Sequence, residues 1–61
     1  MTQFAWCLEK DSPIKYLTVT NSLFDWTTDN SKALRLARRE DAEMIATIVE
    51  DAERVAEHGW G

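Results

Sequence analysis

The apolar residues of this chain keep two different periods, and the change between them limits the folds open to it. From residue 3 to residue 9 they alternate, with Phe4, Trp6 and Leu8 on one side and Gln3, Ala5, Cys7 and Glu9 on the other. Alternation with aromatic content predicts a strand with one buried face. KYLTVT, residues 15–20, is rich in β-branched and aromatic types and sets Leu17 and Val19 on one face. LFDWT, residues 23–27, does the same with Phe24 and Trp26. Lys10-Asp11-Ser12-Pro13 and Asn21-Ser22 are turn sequences between these runs. Three short strands on tight turns predict an antiparallel meander.

After Asp29 the spacing becomes helical. Asp29, Asn30 and Ser31 are all good N-caps, and Lys32-Ala33-Leu34-Arg35-Leu36-Ala37 is built from helix formers. Ala42, Ile45, Ile48, Val49 and Ala52 recur at three-and-four spacing, with Met44 widening the stripe of an amphipathic helix. One helix from about Ser31 fits these residues. So does a short helical turn, a break near Arg38 and a main helix from about Arg39.

The closing RVAEHGWG, residues 54–61, is equally double-edged. Periodicity carries the stripe through Val55 and Ala56 to a stop at Gly59. Length opposes it. A helix over residues 39–58 runs about 30 Å at about 1.5 Å per residue, whereas strands of this length reach only about 20 Å. Ending the helix near Glu50 and turning through residues 51–53 returns residues 55–60 as a fourth strand. His58 and Trp60 then share one face, and Val55 and Glu57 the other.

At 61 residues the chain forms one domain, residues 1–61. Such a chain buries only about 60% of its unfolded surface, so a partner subunit or target can supply part of its stability. A hydrophobic fraction of 44% at a net charge of −4 is too apolar for disorder. Cys7 is the single cysteine, which rules out an internal disulfide or a cysteine metal cluster and predicts an inert, half-buried thiol. No apolar run approaches ~18 residues and no charged-then-apolar leader is seen, so the expected place is the cytoplasm, without membrane contact.

No group of residues declares a reaction. His58 is the only histidine, and alternation turns Glu57 away from it, so a surface imidazole beside Trp60 is expected rather than a general base or zinc ligand. No catalytic, cofactor-binding or metal residue is therefore assigned, and no cofactor. Glu40, Asp41 and Glu43 favour the positive start of the main helix. Glu50, Asp51 and Glu53 form an acidic knob at its other end, where that benefit is absent. Lys32, Arg35, Arg38 and Arg39 cluster just ahead of the acids. Local phosphate contact with Trp26 nearby is conceivable, but the net charge opposes nucleic acid, and Arg–Glu pairing along the helix explains the same residues. Three tryptophans exceed what so small a core encloses, and Trp and Arg commonly anchor interfaces. The candidate interaction surface is accordingly Trp6, Trp26, Trp60, His58, Glu50, Asp51, Glu53, Arg35, Arg38 and Arg39.

Four segments carry a resemblance: Trp26-Thr27-Thr28-Asp29; Ala33-Leu34-Arg35-Leu36-Ala37; Arg39-Glu40-Asp41-Ala42-Glu43; and Val55-Ala56-Glu57-His58-Gly59-Trp60-Gly61. Together they resemble a group of small phage-encoded proteins of uncharacterised function, over residues 16–61. That group's pattern is an aromatic-Trp-Thr strand, an Ala-x-Arg-Phe-Ala segment, a Ser/Thr-capped Arg-Glu-Asp-Ala-Glu helix and a closing Glu-His-x-Trp strand. Leu36 stands where Phe is usual, and Arg38 where a capping Ser or Thr is usual. The resemblance implies the helix break and the closing strand, hence an α+β fold: a small antiparallel sheet in the order β-β-β-α-β with one amphipathic helix on one face. It brings no catalytic residue.

The expected function is protein–protein binding by a phage-type accessory protein, in the class of host-takeover or anti-defence inhibitors, inside the host cytoplasm and without catalysis. The alternatives are a homo-oligomeric structural accessory, which covers open sheet edges by pairing with itself, and an acidic nucleic-acid mimic using residues 50–53.

Overall fold

Asn21 and Ser22 both take positive φ, 52° and 64°, the handedness with which a two-residue loop matches the twist of its flanking strands. The computed structural model, which describes residues 3–60, accordingly pairs β2 (Lys15–Thr20) with β3 (Leu23–Thr27) from Tyr16 opposite Thr27 to Thr20 opposite Leu23. β1 (Gln3–Lys10) precedes them and β4 (Arg54–Trp60) closes the chain. The sheet is antiparallel throughout, in the order β3-β2-β1-β4. The closing segment is thus a strand. It meets β1 over seven rungs, from Gln3 opposite Trp60 to Glu9 opposite Arg54.

The meander is incomplete at its centre. β1 and β2 pair only at Glu9–Tyr16 and Lys10–Lys15 before they splay. Residues 34–36 fill the gap. Leu36 exchanges both backbone hydrogen bonds with Trp6 (2.7 and 2.9 Å), and Leu34 N–H donates to the Leu17 carbonyl at 2.8 Å. This corrects the reading of residues 32–37 as helix. The helical turn falls earlier, as a 3₁₀ turn over Asn30–Lys32, where the Ser31 N–H donates to Asp29 Oδ1 at 3.0 Å. Beyond it the chain is extended, because unpaired strand edges on both sides offer it backbone partners that local propensity cannot match.

α1 spans Arg39–Ile48, so the break near Arg38 is real. Arg38 is extended (φ −123°, ψ 140°) and provides no side-chain cap. Its guanidinium instead donates to Asp41 at 3.0 and 3.2 Å. The break therefore does not depend on a Ser or Thr. It follows from tying residues 34–36 into the sheet.

The helix lies across β1 and β4. Leu8, Leu17 and Ala42 are completely buried between the two layers. Ala42, Ile45, Ala46 and Val49, at spacings of three, four and seven, turn toward the sheet. Ile48 and Met44 do not, at 64% and 59% exposed, which corrects their place in the apolar stripe. Ile48 lies six residues after Ala42, about 240° around the helix at 3.6 residues per turn. Among the described residues, no helix is long and apolar enough to cross a membrane.

Candidate functional site

Alternation gives the sheet two unlike faces. One carries Leu8, Leu17 and Val55 under the helix. The other, helix-free, receives Ala5, Cys7 and Glu9 from β1, Arg54, Ala56, His58 and Trp60 from β4, and Tyr16 from β2. Cys7 and Glu9 are nevertheless 0% and 4% exposed. His58 stands opposite Ala5, yet its Nε2 hydrogen-bonds Glu9 Oε2, so its side chain reaches along the sheet across the Cys7–Ala56 rung. Neighbouring rings hold it on two sides: Tyr16 at 6.4 Å and Trp60 at 5.8 Å, both edge-on.

Glu9 is the centre of this arrangement. Arg54 Nε donates to its Oε1 at 2.7 Å, and Arg54 Nη1 donates to Asp11 Oδ2 at 2.7 Å. Burial pushes the Glu9 carboxyl up, but the hydrogen bonds from His58 and Arg54 outweigh it, and the group is held below the usual carboxylate range. The Cys7 thiol donates to Glu9 Oε2 over 3.6 Å. Burial first, then the Glu9 charge and that hydrogen bond, push the thiol up to about 12. A covered thiol of that kind stays protonated at neutral pH in the metal-free protein.

The residues singled out from sequence divide between the faces. His58, Trp60 and Arg35 come together on the helix-free face, where the Arg35 guanidinium lies over the Trp60 ring at 4.2 Å. Trp6 and Trp26 flank the core on the helix side. There Arg39 lies over Trp6 at 5.5 Å, and Lys10 Nζ over Trp26 at 4.6 Å. All three tryptophans are half-buried, each with a cation against its ring. Arg39 also pairs with Glu43 at 2.7 Å, the Arg–Glu pairing read from the sequence.

The acidic knob is partly engaged: Asp51 approaches Lys10 at 4.0 Å, and Glu53 Oε2 accepts from the Asp11 N–H at 3.3 Å. Glu57 faces away from His58, across from Trp6. The acid that meets the imidazole is Glu9, which sequence reasoning missed along with Cys7, Tyr16, Arg54 and Asp11. The available signal was Cys7-x-Glu9 on the polar side of β1 and Arg54-x-x-x-His58 on one side of β4. Connecting them requires the β1–β4 register.

Comparison with protein-family models, with curated proteins and with solved structures finds no match to this chain.

Proposed function

We propose that this chain is a binding protein that acts by covering the surface of another protein, through its helix-free sheet face and without a reaction of its own. The observation that carries the reading is the row Tyr16, His58, Trp60 and Arg35 on the sheet face opposite α1. Half-buried aromatics with an arginine stacked on one of them are rigid, amphipathic and cheap to order, the properties of interface anchors. No pocket is found among the described residues, and a flat face suits a protein better than a small molecule. The resemblance to small phage-encoded proteins supports a target in the infected cell, in the manner of a host-takeover or anti-defence inhibitor. Tagged protein at micromolar concentration in bacterial host lysate is expected to retain one partner. Trp60→Ala and Arg35→Ala should each weaken capture at least about tenfold, as hot-spot truncations do, while Ile48→Ala on the helix leaves it unchanged. Absence of a partner, or capture indifferent to both face substitutions, overturns the reading.

A second reading, self-association, rests on β4. Trp6 directs both its backbone groups to Leu36, so in the β1–β4 ladder the alternate residues Ala5, Cys7 and Glu9 serve β4. Val55, Glu57 and Gly59 then point their N–H and C=O groups away from β1, along an open edge that a second copy can pair with across a two-fold axis. Sedimentation at high concentration should show a dimer that Glu57→Pro abolishes; a monomer throughout removes this reading.

A further inference from the structure

Cys7, Glu9 and His58 bring one sulfur, one carboxylate oxygen and one imidazole nitrogen within 4.8 Å of one another. We propose that these three side chains bind a divalent transition metal of the zinc class, through Cys7 Sγ, Glu9 Oε2 and His58 Nε2, with a fourth position open to water or to a partner's ligand. The site shares His58 with the binding face, but it stands or falls on metal binding alone and does not require the binding reading above.

Spacing is the first argument. Donors around a tetrahedral zinc, at about 2.0–2.3 Å from the ion, stand roughly 3.3–3.8 Å from each other. Cys7 Sγ and Glu9 Oε2 are already 3.6 Å apart. The His58 ring, hydrogen-bonded to the same oxygen, has to back away to admit the ion. With its side chain 41% exposed, it has solvent on one side into which to move.

Support from outside the triad is the second. The other Glu9 oxygen is fixed by Arg54, which is anchored in turn on Asp11. A ligating carboxylate is oriented in this way when its free oxygen has a donor of its own. Tyr16 and Trp60 hold the plane of the imidazole.

Chemistry is the third. A thiolate, an imidazole and a carboxylate form a mixed soft, borderline and hard set; the sulfur and nitrogen donors suit zinc or cobalt and disfavour calcium or magnesium. The ion replaces two protons: the thiol S–H breaks and its proton goes to water, and the proton that His58 Nε2 shares with Glu9 leaves to water or is carried on Nδ1, so that the sulfur and Nε2 lone pairs go to the metal. Thiolate and carboxylate then balance the two positive charges, which removes the mismatch of a carboxylate buried beside a thiol. As a metal-free network, the same cluster leaves Cys7 with one long, weak hydrogen bond.

Reduced, metal-stripped protein titrated with cobalt(II) tests the site. One equivalent should bind, producing a thiolate-to-cobalt charge-transfer band in the near ultraviolet and intense tetrahedral bands in the visible. Zinc should bleach both and raise the melting temperature by several degrees. Cys7→Ala should lose the charge-transfer band while keeping its circular dichroism, and His58→Gln, on the exposed side of the cluster, should lower affinity at least tenfold. If Cys7→Ala fails to fold, His58→Gln and the zinc-induced shift decide. Cobalt binding without a thiolate band, or affinity unchanged in His58→Gln, overturns the site.

Discussion

Leu8→Ala is expected to remove a large share of the fold's stability, about 3–4 kcal/mol. Leu8 is completely buried between sheet and helix, in contact with the cluster that includes Leu17 and Ala42. Truncating such a leucine removes its transfer free energy and leaves a cavity, a loss of about 3–4 kcal/mol. A chain of 61 residues has a total stability on the order of 3–9 kcal/mol, so this one change consumes a large share of it. Urea unfolding followed by tryptophan fluorescence in metal-free buffer measures the effect. Ile48→Ala, at a position 64% exposed, is the control and should move stability by no more than about 0.5 kcal/mol. A loss below about 1 kcal/mol in Leu8→Ala would remove that residue from the core.

Proline at two adjacent positions of β4 should separate its two edges. Ala56 stands opposite Cys7, on the rungs whose backbone groups serve β1. Ala56→Pro deletes a ladder donor, worth about 1 kcal/mol, and leaves the Cys7 carbonyl unpaired in a buried place, a further cost of about 1–3 kcal/mol. The sum is on the order of 3 kcal/mol, enough to threaten folding. Glu57→Pro puts its ring where an N–H points to solvent, and edge strands accept proline there. Thermal unfolding of the two variants should differ clearly, with Glu57→Pro near the parent. Equal losses would mean that the assignment of backbone groups along β4 is reversed.

Much of the architecture is legible in local pattern. Alternation located β1, β2 and β3. The mismatch between a long helix and short strands, with the resemblance, ended α1 and returned residues 55–60 to the sheet. The segment 33–37 escaped, since Ala, Leu and Arg favour a helix in any window that contains only themselves. What makes it extended is the pair of unfilled edges at Trp6 and Leu17, far away in sequence. The same limit hid half of the candidate site. His58, Trp60 and Arg35 stood out by type, but Glu9 looked like one more solvated acid on a strand. Its burial comes from Arg54 and His58, which only the antiparallel register of β4 delivers.

The strip of chain lodged between the parted strands also fixes how many residues may separate it from what precedes it. Leu34 and Leu36 both turn their side chains to the core under the helix, and Arg35, between them, lies against Trp60 on the opposite side. Adding or removing a single residue between the 3₁₀ turn and Leu34 would invert that alternation, sending the leucines outward and the guanidinium beneath the helix. Length tolerance in this connection is therefore counted in steps of two, and the stacked arginine keeps its place only as long as the count does.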